Sequence, residues 1–95
     1  MPRARKVCNM VYFDCPGCEC SHGVSVEPTE RPRPIWDWNK SLESPTFHPS
    51  VLVTMYCGDA VRAICHSFVT DGKIAFLTDS THELAGQTVE LPEFE

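Results

Sequence analysis

The chain has 95 residues with a net charge of −5, from eight Lys or Arg against thirteen Asp or Glu. That length holds one core and not two, and a domain this small buries only about 60–65% of its unfolded surface, so a staple is expected. The acidic balance argues against a generic nucleic-acid ligand, and no apolar run approaches the roughly 20 residues of a membrane-spanning helix.

Met1-Pro2-Arg3-Ala4-Arg5-Lys6 is basic and reads as a flexible tail over 1–6. Residues 7–13 are rich in β-formers and predict a strand. Cys15 to Cys20 then makes a tight turn, and Val24 and Val26 alternate with Ser25 as a short second strand. Pro28, Pro32 and Pro34 mark a loop. Trp36-Asp37-Trp38 alternates again, with both indoles on one face if extended. Pro45 and Pro49 exclude a helix from Ser44 to Ser50. Residues 51–56 are a strong strand, Gly58-Asp59 a turn, and 61–69 another strand. Asp71-Gly72 is a hairpin turn returning residues 73–77 as partner. Ser80-Thr81-His82-Glu83 has capping-box spacing and predicts one short helix at 81–85, stopped by Gly86. Residues 87–91 close the chain as an edge strand before Pro92. The expected fold is mainly β: a single small antiparallel domain over 1–95, with a C-x-x-C zinc knuckle and one short helix near the C-terminus.

Six cysteines could be disulfides or metal ligands. The basic start is not followed by an apolar stretch, because Cys8, Asn9 and Asp14 interrupt it, so no signal peptide is read and a cytoplasmic location with reduced thiols is expected. Cys15-Pro16-Gly17-Cys18 directly after a strand lets two thiolates meet one tetrahedral ion, and Pro and Gly bend the backbone so that amides point at the sulfurs. A redox C-x-x-C would sit at a helix N-terminus in an α/β domain, which this pattern lacks. Two more ligands are needed. Cys20 and His22 are near; Cys57, Cys65, His66, Asp79 and His82 come later. Cys65 and His66 are adjacent on a strand and point to opposite faces. Cys8 and Cys57 read as core residues, and His48 as a solvated loop residue.

Residues 65–89, from Cys65-His66-Ser67-Phe68 through Asp71-Gly72-Lys73 to Ser80-Thr81-His82-Glu83-Leu84-Ala85-Gly86, resemble a family of small proteins of unknown function from tailed phages and prophages. Cys15-Pro16-Gly17-Cys18, His22-Gly23, Trp36-Asp37-Trp38-Asn39 and Pro45-Thr46-Phe47-His48-Pro49-Ser50 agree with it. The resemblance implies zinc binding through Cys15, Cys18, Cys65, His66 and His82. Ser80 departs from it, standing where many relatives have cysteine. The label ammonia monooxygenase carried by some members implies a membrane-embedded copper enzyme and does not suit this chain. From the residues themselves, Cys65 suits the soft Cys15/Cys18 pair as third ligand. His82 is the choice for the fourth, with His66 and His22 as alternates. His66 then lies free near Asp79, and these two are the candidate catalytic residues.

Three functions follow. The first is a non-catalytic zinc domain, an accessory or host-modulating factor that binds a phage or host protein; it rests on small size and on no evident nucleophile. The second is a zinc hydrolase using His66, Asp79 and His82. The third is a nucleic-acid-binding zinc domain, if Arg3, Arg5, Lys6, Arg31 and Arg33 form a patch.

Overall fold

β-branched and aromatic residues alternating with polar ones give this chain its strands, and turn residues between them set the pairings. The computed structural model describes residues 2–28 and 34–93, with Cys57 by its backbone alone. Among these residues eight strands are seen: β1 (Arg5–Val7), β2 (Met10–Cys15), β3 (Cys20–Ser25), β4 (Asp37–Trp38), β5 (Phe47–Cys57), β6 (Ala60–Thr70), β7 (Lys73–Phe76) and β8 (Thr88–Glu90). They form two antiparallel sheets, ordered β1-β2-β3 and β4-β5-β6-β7-β8.

The strand expected over 7–13 is instead broken at Cys8-Asn9. Val7 pairs with Met10 across a two-residue turn in which Cys8 takes φ 53°. Cys8 is therefore exposed and not a core residue. The basic segment read as a tail enters the sheet as β1. Ala4 behind it is buried, and Arg3 Nε donates to the Leu91 carbonyl at 3.0 Å. Arg31 and Arg33 lie outside the described residues.

On β2 the pattern is strict: Val11, Phe13 and Cys15 are buried, and the residues between them are half exposed. These side chains meet Phe47, Val51, Cys65 and Val69 of the larger sheet, with Ile74, Phe76 and Leu91 beyond. Phe13 stacks on Phe47 at 5.9 Å between ring centroids. The core thus lies between the two sheets, each turning one face to solvent. Trp36 and Trp38 pack against this core half-buried, their indole N–H groups donating to the Ser50 and Ser41 carbonyls.

The helix expected at 81–85 is absent; no helix occurs among the described residues. Its capping box is not formed because Ser80 Oγ is committed elsewhere, accepting from His66 N and donating to His66 O, both at 3.0 Å. Thr81 N pairs sideways with Ile64 O at 2.9 Å, as a strand amide would. The segment closes with i to i+3 turn bonds, Ala85 N to His82 O and Gln87 N to Leu84 O, and Gly86 at φ 81° leads the chain away. Among the described residues no helix is long and apolar enough to cross a membrane.

Candidate active site and metal centre

Two groups of functional side chains lie on opposite faces of β6. Cys65 and His66 alternate, so Cys65 is buried toward the smaller sheet and His66 stands on the outer face, partly exposed. The segment after β7 repeats the division, sending Asp79 outward and His82 inward.

On the inner face the ligand atoms of Cys15, Cys18, Cys65 and His82 all lie within 4.8 Å of one another and could hold a metal ion. Cys15 and Cys20 pair across the turn at the head of β3, and Cys18 N–H points at Cys15 Sγ at 3.4 Å. The Cys15 and Cys65 sulfurs are 3.8 Å apart. That matches the edge, about 3.8 Å, of a tetrahedron with metal–sulfur bonds of about 2.3 Å. His82 Nε2 is buried beside them without a hydrogen-bond partner, a costly position unless a cation or donor satisfies it. Its Nδ1 accepts from Leu84 N at 3.2 Å, and the ring stands edge-on to Phe76. A metal on Nε2 would move the imidazole proton to Nδ1 and end that Leu84 bond. Gly17 is required for this packing: a Cβ there would overlap the His82 ring.

The three sulfurs shift one another's acidity in opposite directions. The Cys65 thiol beside Cys15 holds Cys15 far below the ordinary thiol range, at about 3, with help from His22. Burial, and then the Cys15 charge, pushes Cys18 up to about 11. Cys65 is raised, chiefly because its proton is held by Cys15. The five thiols described, Cys8, Cys15, Cys18, Cys20 and Cys65, are free, with no disulfide among them. A second group, Cys18, Cys20 and His22, also has its ligand atoms within 4.8 Å of one another, but it shares Cys18 with the first. His22 is buried, edge-on to Phe13, with Nε2 unpartnered.

On the outer face the structure brings together a residue the sequence reading passed over. Ser50 Oγ lies 2.9 Å from His66 Nε2, and His66 Nδ1 lies 3.0 Å from Asp79 Oδ2. Ser50 reaches this position through a bulge. Phe47 faces Val69 and Val51 faces Ser67, so β5 spends four residues where β6 spends two. Such extra residues re-aim a side chain. The Trp36 indole fixes the Ser50 carbonyl at 3.3 Å. His66 is fixed through its backbone, held by Ser80 Oγ on both N and O and by Leu77 N at 2.8 Å on O. A hydroxyl bonded to an imidazole nitrogen whose opposite nitrogen is bonded to a carboxylate is the arrangement of a nucleophile, its base and the group that orients the base.

His66 is thus not among the four donors of the metal group, and Asp79 is its hydrogen-bond partner; His48 is exposed and is a donor in neither group. A lone Ser after Pro49, outside any nucleophile-elbow pattern, carries no signal of its own, and the bulge that aims it cannot be read from one sequence.

A family model described as bacterial ubiquitination-like system serine protease (BubE) matches residues 1–77. The match includes Cys15, Cys18, Ser50, Cys65 and His66 and ends just before Asp79 and His82. Its description names a bacterial system and mentions neither zinc nor a phage. No curated protein and no solved structure matches.

Proposed function

The chain belongs to the bacterial ubiquitination-like system serine protease (BubE) family, and from that premise we propose that it is a serine protease acting on a protein of such a system, with Ser50, His66 and Asp79 as its catalytic residues. The observation that carries this reading is the continuous Ser50–His66–Asp79 hydrogen-bond chain. In the reaction Ser50 Oγ attacks the scissile carbonyl carbon as its proton passes to His66 Nε2. Asp79 holds the Nδ1–H proton and stabilises the imidazolium. His66 then gives the proton to the departing amine nitrogen as the C–N bond breaks, leaving an acyl ester on Ser50. A water molecule, deprotonated by His66, cleaves that ester and restores the hydroxyl.

The Cys15, Cys18, Cys65 and His82 group suits zinc, by its soft donors and its tetrahedral sulfur spacing. Four protein donors close the shell, so the ion would act as a staple and not as the source of a nucleophilic water. That favours serine chemistry over a zinc hydrolase, and the presence of a positioned nucleophile favours catalysis over a purely non-catalytic binder.

The test is hydrolysis of unfolded casein and of p-nitrophenyl acetate by the purified chain. Ser50→Ala should abolish both while metal content and melting temperature stay at the parent's values. Undiminished turnover in Ser50→Ala would end the proposal.

A further inference from the structure

The catalytic Ser50 begins a stretch of β5 that natural edge strands rarely present. On one side β5 pairs with β6 along its length. On the other, among the described residues, it pairs only with β4, through Trp38↔Phe47 and Asp37↔His48. Beyond Ser50, whose carbonyl takes the Trp36 indole, no strand among the described residues pairs with that side.

The direction of the backbone groups along this edge follows from the register. Ile64 O and His66 O accept from Thr81 N and Leu77 N, and Ile64 N and His66 N are held by Thr81 Oγ1 and Ser80 Oγ. The N–H and C=O groups of Ile64 and His66 therefore point away from β5. In an antiparallel ladder their opposite residues, Thr54 and Leu52, must likewise point theirs away from β6. Ser50 obeys the same parity, its carbonyl receiving the Trp36 indole on that side. Leu52 and Thr54 thus carry four main-chain groups outward, directly after the nucleophile.

The sequence does nothing to protect this edge. Ser50-Val51-Leu52-Val53-Thr54-Met55-Tyr56 contains no charge, no Pro and no Gly, the devices by which edges are normally kept from pairing. On the face that carries His66, Leu52 is 56% exposed and Phe68 41%. A bare, uncharged edge and an apolar face both converge on Ser50.

We propose that this edge is the substrate-binding element: an unfolded, extended segment of the substrate protein pairs with Leu52 and Thr54 as an added strand, which delivers its scissile bond to Ser50. The inference rests on the serine-protease reading for its end point but not for the pairing itself. Main-chain bonds to the edge supply affinity, and an apolar side chain of the segment lies beside Leu52. A tail or unfolded segment can extend along the edge and pass its scissile bond over Ser50, so the enzyme acts on such segments with apolar residues at every second position.

The experiment measures binding of a fluorescent peptide of about ten residues, alternating Leu and Thr with Lys at its ends, to the full-length Ser50→Ala chain. Thr54→Pro removes an outward N–H and nothing from the β5–β6 ladder, a change edge strands tolerate. It should weaken binding by about tenfold, the value of roughly one main-chain hydrogen bond. The same peptide with alternate amides N-methylated should bind the unaltered edge as poorly, which keeps the test valid if Thr54→Pro fails to fold. Absence of peptide binding, or equal binding of both peptides, overturns the proposal. So does a Thr54→Pro effect confined to self-association, which would assign the edge to a second copy. Turnover of p-nitrophenyl acetate separates the two readings. If the parent chain cleaves the ester and edge dependence is missing, the edge fails alone; if binding depends on the edge and the ester is untouched, the triad fails alone.

Discussion

In the proposed triad, Ser50, His66 and Asp79 are joined by hydrogen bonds of 2.9 and 3.0 Å. Asp79 has its side chain 55% exposed and His66 23%, so their attraction in water is weak and the contact works chiefly by fixing the tautomer and orientation of the imidazole. Asp79→Asn should therefore lower kcat by about 10²–10⁴-fold with little change in KM or melting temperature, as for removal of an orienting carboxylate. A loss of stability matching the loss of activity in calorimetry would show that Asp79 is structural instead. At this scale the sequence was only half legible. Strand parity separates Cys65 from His66, and C-x-x-C spacing marks Cys15 and Cys18, because both are local rules. Ser50 was not legible, since its role depends on a bulge and on a partner sixteen residues away.

The segment after β7 shows what a local rule cannot supply. Its capping-box spacing is real, yet Ser80 finds a better use in holding both backbone groups of His66, and a helix amide was given up to a strand-like bond from Thr81 to Ile64. Most strands were legible from alternation. The Cys8-Asn9 turn was not, because a positive φ at cysteine has no sequence signature. The turn over 15–20 is the opposite case, since its Gly17 lies directly against the His82 ring. Gly17→Ala should displace His82, weaken metal affinity by at least about tenfold and cost about 1–3 kcal/mol of stability by overpacking. Competition against a chromophoric chelator, together with a thermal melt, reads both; parental values in both would mean that His82 is not held there.

Across the whole molecule the four-donor group ties the two sheets together, with Cys15 at the end of β2, Cys18 in the turn after it, Cys65 on β6 and His82 in the segment between β7 and β8. A structural zinc contributes on the order of 10 kcal/mol, comparable to the 5–15 kcal/mol net stability of an ordinary domain. Chelation, or Cys15→Ser, should therefore unfold the chain, monitored by circular dichroism; cooperative melting near the parent temperature would show that no metal staples the fold. Cys18 sits at about 11 without metal and Cys65 is also raised, so an ion must expel both protons, and its affinity falls as pH falls. Metal should leave progressively on acidification, and an affinity unchanged by pH would contradict thiolate ligation.

The proposed chemistry stands on a nucleophile at Ser50 activated by His66. The most direct measurement is reaction of the purified chain with a fluorophosphonate, followed by mass spectrometry of its peptides. One stoichiometric adduct on Ser50 is expected, formed at least about 10²-fold more slowly in His66→Ala, as loss of a general base requires. An unmodified Ser50, or labelling at the same rate without His66, would contradict it.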